Sequence, residues 1–307
     1  MADSTETDTL IQNLGLLILT IIALIPGMPI HTFIIGVNVN DWWKERSMTS
    51  VDQIVTSLGI SRMCTQFANT LYYFVLMFCT SSLDSYISLL IIDMFYLFFK
   101  YSNFWQTTLL SMVLCLKISN FRNRLFLYLR RVIPQRTGHF IAASGVFSAL
   151  NFLIYLWMVL NVMIKHGIYN TTMDNPNTEC IYANSIYSFT IGAFIPLLFS
   201  YISSVLLFSS LYYHTVKMKM SSNLSINLET YYSAMKFVSF TFIYNTISFI
   251  GHCVCVFYYY FYCVNLPWLY IMLDFLPTVH SFYLIYRTVN LRSQMSKVLQ
   301  RVNNVLC

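Results

Sequence analysis

The chain has 307 residues and a formal net charge of +6, and 57% of its residues are apolar while only 10% are charged. Soluble domains carry about 25% charged residues, so this composition cannot cover the surface of a water-soluble fold. It excludes a soluble globular protein and indicates a protein of the lipid bilayer.

Seven apolar stretches follow one another along the chain, and each exceeds the ~20 residues that a membrane-spanning helix needs. These seven spans are residues 14–39, 51–78, 83–116, 139–164, 186–213, 233–260 and 266–288. The connections between them are too short to hold a soluble domain. We therefore expect an all-α membrane protein, a seven-transmembrane-helix bundle that forms one domain over residues 1–307.

The basic residues predict the orientation of this bundle. Every lysine and arginine except Arg62, Lys100 and Lys165 lies in or beside the connections after spans one, three and five, or in or beside the tail. Positively charged loops stay on the cytoplasmic side of a membrane. We therefore expect an extracellular N-terminus and a cytoplasmic C-terminus.

Span two begins with "SMTSVDQI", which has the features of a helix start. Ser50 and Gln53 match a capping box, and Asp52 adds a negative charge to the first turn. We expect this segment to start the helix at the membrane face.

Arg62 lies inside span two, where an unpaired charge would be costly, so it must face the bundle interior and find partners. It lies ~16 Å above Val51, and Ser281 lies ~10 Å above Thr288, at about 1.5 Å per residue. Both residues therefore belong to the inner half of the bundle. We expect Ser281 and backbone carbonyls near Pro277 to hold Arg62, either as a purely architectural lock or as one that rearranges on activation.

Asp93, Tyr96 and Lys100 recur at helical spacing in span three and share one face. Counted from the outer helix ends at about 1.5 Å per residue, Asp93 lies ~15 Å deep and Asp274 of span seven lies ~12 Å deep. Lys100 lies ~10 Å deeper than Asp93, too far for a direct pair, so a ligand, a water or another helix must complete its contacts.

We hypothesise a polar-aromatic pocket in the outer half of the bundle. Its expected members are Asp93, Tyr96, Lys100, Tyr187, Tyr244, Tyr270 and Asp274. The alternative is that Lys100 and an acidic residue merely neutralise each other inside the bundle.

Two further features lie in the outer loop and the tail. Asn170 begins the sequon "NTT" on the predicted external side, whereas Asn223 begins "NLS" in a predicted cytoplasmic loop, so only Asn170 is expected to carry a glycan. Residues 290–304 place apolar side chains on one face beside Arg292, Lys297 and Arg301. This pattern predicts a short amphipathic helix that lies on the inner-leaflet lipids.

The pattern of charged residues leaves two classes of function open. No nucleophile–base arrangement, phosphate loop or metal cluster is evident, so we expect no enzyme, no cofactor and no nucleic-acid partner. Seven spans with an external N-terminus favour a receptor. An ion or proton channel, or a transporter, is the alternative, with Arg62, Asp93, Lys100 and Asp274 along its path. The two halves of the chain show no internal repeat, which argues against a transporter.

Several fragments resemble the type 2 taste receptors, the bitter receptors that couple to heterotrimeric G proteins. They are "VNVNDWWKERSMTSVDQIVTSLGISRM", "LCLKISNF" at the exit of span three, "SSLYYHTVKM" at the end of span five and "HSFYLI" at His280–Ile285. His31 and Lys100 stand where this family has asparagines. Vomeronasal type 1 receptors share part of the pattern and are the nearest alternative family.

The resemblance implies a multi-pass protein of the plasma membrane that binds small external bitter molecules and activates a cytoplasmic G protein of the gustducin or inhibitory class. It implies that Tyr96, Lys100 and Tyr270 line the pocket and that Pro196 and Pro277 are hinges. His280, in the matched "HSFYLI" fragment, is expected to belong to the activation or structural lock with Arg62 and Ser281. The residues expected to face the G protein are Lys117, Arg122, Arg124, Lys217 and Lys219.

Overall fold

The computed structural model describes residues 2–46, 48–78, 83–119, 123–169, 190–220, 228–262, 264 and 266–306. Within these residues every regular element is helical. The helices are α1 (Ala2–Glu45), α2 (Ser50–Phe78), α3 (Leu83–Ile118), α4 (Arg124–Gln135), α5 (Thr137–Tyr169), α6 (Ile195–Met220), α7 (Leu228–Tyr262), α8 (Pro267–Arg287) and α9 (Val289–Leu306). A π-helical turn, Thr190–Phe194, leads directly into α6.

Helices α1, α2, α3, α5, α6, α7 and α8 correspond to the seven predicted spans. Among the described residues, all of these except α2 contain a segment long and apolar enough to cross a membrane. Helix α2 is less apolar because it carries Arg62, Gln66 and Asn69. It packs between α1 and α3, and it buries Arg62 and Gln66 inside the bundle.

Helix α3 is the centre of the bundle and packs against α2, α5 and α6. Helices α6 and α7, α7 and α8, and α8 and α1 pack against each other and complete the ring. Apolar side chains such as Ile54, Leu58, Leu110 and Leu284 fill the space between helices at the inner end. The polar residues of the spans, which cannot be left in hydrocarbon without a partner, collect along the axis of the bundle.

Prolines occupy the predicted places within the spans. Pro26 and Pro29 lie inside α1 and Pro277 lies inside α8, and neither helix ends there. Pro196 is the second residue of α6, directly after the π-helical turn. The backbone carbonyls of Pro196 and Pro277 both accept side-chain hydrogen bonds from other helices.

Helix α4 was not predicted, since residues 117–138 were interpreted as a connection. Phe126, Leu129 and Ile133 lie on one side of α4 and pack on the inner core, and Ile133 is only 2% exposed. Leu127 and Tyr128 lie on the outward side and are exposed. The amphipathic spacing of these residues explains why the segment is a helix that lies along the bundle end instead of a loop.

The capping-box prediction at the start of α2 was wrong by one residue. The backbone N–H of Asp52 donates to the Thr49 hydroxyl oxygen at 3.2 Å, so Thr49 is the cap of the helix. The Thr49 hydroxyl in turn donates to the Asp52 carboxylate at 2.5 Å. Ser50 has a different role, because its hydroxyl donates to the Pro134 carbonyl at 2.7 Å and ties α2 to α4.

Helix α9 occupies the segment predicted as the amphipathic tail. Leu291 is buried and Met295 packs on the inner core, whereas Val298 and Leu299 are exposed. The Asn290 side-chain amide donates to the Asp41 carboxylate at 2.6 Å and ties the start of α9 to α1.

Candidate functional site

An ion pair joins α3 to α8 in the interior of the bundle. The Lys100 ammonium lies 3.2 Å from Asp274 Oδ1, and the two side chains are only 8% and 11% exposed. Lys100 also donates to the Tyr96 hydroxyl at 2.5 Å, and that hydroxyl donates to Asp274 Oδ2 at 2.7 Å. Because one tyrosine links both charged groups, the three residues form a closed network.

Two tyrosine rings border this ion pair. The Lys100 ammonium lies 4.9 Å from the ring centroids of both Tyr96 and Tyr270, within the range of cation–π attraction. Tyr270 is one helical turn from Asp274 on α8, as Tyr96 is from Lys100 on α3. We call Tyr96, Lys100, Tyr270 and Asp274 the outer cluster.

Asp93 stands apart from the outer cluster. It lies two helical turns from Lys100 on the same face of α3, and its carboxylate accepts a hydrogen bond from Tyr155 of α5 at 3.3 Å. The expectation that Asp93 and Asp274 stand at one depth, with Lys100 far below, was wrong for Asp274. Helix α3 has 36 residues and α8 only 21, so equal counts from their outer ends do not give equal depths.

The side chain of Arg62 is surrounded by acceptors from α3 and α8. Its Nη1 donates to Ser281 Oγ at 2.6 Å and to the Pro277 carbonyl at 3.1 Å. Its Nε donates to Asn103 Oδ1 at 3.3 Å, and His280 Nδ1 lies 3.4 Å from Nη1. The structure thus brings Arg62, Ser281 and the Pro277 carbonyl together as expected. We call Arg62, Asn103, Pro277, His280 and Ser281 the inner cluster.

Tyr244 belongs beside the inner cluster, although it was expected in the pocket. Its ring centroid lies 4.5 Å from that of His280, and its side chain interacts with Arg62 and Thr107. It is buried and also interacts electrostatically with Asp274 of the outer cluster, so its membership of the pocket stays a prediction. Tyr187, the other tyrosine of the hypothesised pocket, lies outside the described residues.

Gln66 lies between the outer and inner clusters, and it was not among the residues selected from the sequence. It lies one turn above Arg62 on α2, and its side-chain amide donates to Thr278 Oγ1 at 2.5 Å and to the Asp274 carbonyl at 3.5 Å. Asn69, nearly one turn further out, donates to Asp274 Oδ2 at 3.4 Å. Polar residues at this spacing in an apolar helix are the signal that would have identified one polar face of α2.

A further polar network, also not predicted, joins α3, α6 and α7. The Asn245 amide donates to Ser204 Oγ at 2.7 Å and to Ser111 Oγ at 3.4 Å, and Ser111 Oγ lies 3.2 Å from Ser200 Oγ. The Thr108 hydroxyl donates to the Pro196 carbonyl at 2.5 Å. These bonds connect α6 to α3 around the proline that was expected to be a hinge.

The residues expected to face a cytoplasmic partner lie at one end of the bundle. Lys117 and Arg124 are exposed at the end of α3 and the start of α4. Lys217 and Lys219 lie in the last turn of α6, whereas Arg122 and the sequon residue Asn170 lie outside the described residues. A cavity of about 240 Å³ opens at the same end, bordered by Asn38, Asp52, Phe237, Arg287 and Leu291 among others.

The described helices and the polar axis define a fold class, the seven-helix membrane bundle. The crystal structure of squid rhodopsin superimposes on this chain with a TM-score of 0.64 at 12% identity, and the match covers 95% of this chain and 87% of rhodopsin. The predicted seven-helix fold is therefore confirmed.

The taste receptor protein (TAS2R) family model matches residues 10–303, so the chain belongs to this family. Taste receptor type 2 member 64 of Pan paniscus is 26% identical over 93% of both chains. Member 13 of Pan troglodytes is 27% identical over 88% of this chain and 90% of that receptor. Member 110 of Mus musculus is 28% identical over 67% of each.

The family determines the class of function. The chain is a bitter taste receptor of the G-protein-coupled class, a multi-pass membrane protein and not an enzyme. Its partners are small molecules and a G protein. The predicted resemblance and the predicted receptor function are therefore confirmed, and the channel and vomeronasal alternatives are set aside.

Proposed function

We propose that bitter molecules bind at the outer cluster of Tyr96, Lys100, Tyr270 and Asp274. The observation that carries this proposal is the buried ion pair between Lys100 and Asp274, which two tyrosine rings border. Ionisable residues within membrane spans are costly and mark functional sites by default. A few polar groups among aromatic side chains are also the composition that small-molecule sites favour.

Ligand binding at the outer cluster acts on the inner cluster through α8 and α2. Helix α8 carries Asp274 of the outer cluster and Pro277 and Ser281 of the inner cluster. The side chain of Gln66 on α2 donates to Asp274 and Thr278 on this stretch of α8. A ligand that binds one arrangement of Lys100 and Asp274 better than another shifts the population of the whole bundle. Arg62, with its partners on α8, is the lock that rearranges in this shift, and Pro196 and Pro277 are its hinges.

The orientation completes the signalling path. The receptor lies in the plasma membrane with its C-terminus on the cytoplasmic side. The basic residues at the end of the bundle that carries α4 and α9 support this orientation. There the G protein, of the gustducin or inhibitory class, contacts or lies beside Lys117, Arg122, Arg124, Lys217 and Lys219. Anionic lipids of the inner leaflet contact the exposed basic residues of α9.

Glycosylation tests this orientation. Asn170 carries a glycan and Asn223 does not if the loop after α5 is external. An Asn170→Gln receptor is then expected to migrate identically on a gel with and without glycosidase. A glycan that persists and maps to Asn223 reverses the orientation.

The signalling experiment compares calcium release evoked by a chemically diverse bitter panel in cells with and without a co-expressed G protein. We expect release that depends on the G protein, with reduced coupling and unchanged ligand binding in the double variant Arg122→Glu and Arg124→Glu. The matched reversal of Lys297 and Arg301 on α9 controls for the loss of basic charge. A ligand-evoked current without any G protein contradicts the proposal.

A further inference from the structure

The formal charges of the outer half do not balance. The described side chains there include two carboxylates, Asp93 and Asp274, and one ammonium, Lys100. Lys100 pairs with Asp274, and no described lysine or arginine lies within ion-pair distance of Asp93. The described side chains of the outer half therefore carry one carboxylate more than they carry cations. Lys100 interacts with Asp93 only at longer range, because its ion pair is with Asp274.

The surroundings of Asp93 are rich in phenol rings and have few donors. Tyr155 supplies one hydrogen bond at 3.3 Å, and Tyr73 of α2 and Tyr96 of α3 are close enough to interact electrostatically with the carboxylate. One neutral hydrogen bond does not offset the cost of a carboxylate inside a bundle. Carboxylates and tyrosine faces are, however, the two groups that attract an organic ammonium.

We propose that Asp93 determines the ligand class of this receptor and anchors the positive nitrogen of a lipophilic ammonium compound. This inference rests on the proposed ligand site. Lys100 repels a second cation from the deeper part of the site, so the ammonium lies at Asp93. The apolar part of the ligand then extends ~10 Å along α3 toward the rings of Tyr96 and Tyr270.

The first test needs no variant. Cells expressing the receptor are exposed to arylalkyl trimethylammonium salts and to the tert-butyl compounds in which carbon replaces the nitrogen. The shape of each pair is the same, so only the charge differs. We expect the salts to be at least tenfold more potent in G-protein-dependent calcium release.

The second test compares variants at equal surface level. Asp93→Asn is expected to lower the potency of the ammonium salts at least tenfold more than that of neutral agonists, and Asp93→Glu is expected to restore most of the difference. Tyr155→Phe keeps the carboxylate and is expected to shift potency by less than about threefold.

The outcomes separate the two proposals. Equal potency within the ligand pairs, or an equal loss for salts and neutral agonists in Asp93→Asn, overturns the role of Asp93 while the outer cluster stands. A receptor that answers neutral agonists but no ammonium salt also overturns it. If no compound evokes calcium release in cells that carry the receptor at the surface, both the proposed function and this inference are contradicted.

Discussion

Two cations lie inside the bundle, and they are neutralised in different ways. Lys100 pairs with a carboxylate on another helix and lies between two tyrosine rings. Arg62 has no described carboxylate beside it and is held by the neutral acceptors Asn103, Ser281 and the Pro277 carbonyl. A ligand group can replace one ionic partner, whereas it cannot easily replace a fixed shell of acceptors that matches a planar guanidinium.

The two clusters also differ in burial and in position along α8. Arg62 is only 2% exposed, and its hydrogen bonds join α2 to both α3 and α8. The Lys100–Asp274 pair is slightly more exposed and lies further out on α8. This difference in burial supports the proposal that a ligand perturbs the outer cluster and that the inner cluster responds.

The largest expected effect comes from removing the Arg62 charge. Arg62→Met leaves the Asn103, Ser281 and Pro277 acceptors without their donor, at about 1–3 kcal/mol for each buried group left unpaired. We expect a strong loss of surface level and of thermal stability in detergent, together with altered basal signalling in the molecules that reach the surface.

Arg62→Lys is the matched control. It keeps the charge but cannot present a planar fork to three acceptors, so its stability is expected to lie between those of Arg62→Met and the parent chain. If both variants keep the parent stability and basal signal, Arg62 is neither a structural lock nor a switch.

A smaller effect is expected at Gly27, where α1 touches the link between the clusters. A Cβ at position 27 would lie 2.8 Å from Cδ and Nε2 of Gln66, so an alanine there displaces the Gln66 amide. Gly27→Ala is expected to reduce the maximal agonist response several-fold with little change in potency. Gly36→Ala on the same helix meets nothing within 4 Å and serves as the control.

The Gly27 comparison bears directly on coupling. If the two alanine variants respond alike, Gln66 does not transmit between the outer and inner clusters. A loss of potency without a loss of maximal response would instead place Gln66 within the ligand site itself.

The sequence predicted the Arg62 contacts because they depend on helix geometry alone. Both Arg62 and Ser281 were counted over short distances from the inner membrane face, where the rise per residue gives reliable depths. A buried guanidinium must also have partners, and a proline marks a stretch of helix with irregular backbone bonding. Proline frees the carbonyl four residues before it, whereas Arg62 donates to the carbonyl of Pro277 itself, so the rule indicated the region but not the acceptor. These two constraints were enough to select Ser281 and the region of Pro277.

The pairing of Lys100 with Asp274 was only one of the alternatives, since composition does not determine the relative heights of two helices of different length.

A second limit concerns the choice of neighbouring helix, as Gln66, Asn245 and Tyr244 show. A single polar or aromatic residue in an apolar span reveals that it needs a partner but not which neighbouring helix supplies it. Helix α4 was missed because its arginines were interpreted as topology signals and partner contacts, and the apolar residues between them were not tested for helical spacing.

The most direct test of the ligand site is the agonist dose–response curve of Lys100→Met and of Asp274→Asn at equal surface level. Each variant removes one half of the ion pair, and each is expected to shift the potency of at least one class of agonist tenfold or more. Arg62→Lys, measured beside them, is expected to change the basal or maximal signal with less effect on potency. If Lys100→Met and Asp274→Asn both reach the surface and answer every agonist with unchanged potency, the ligand site lies elsewhere.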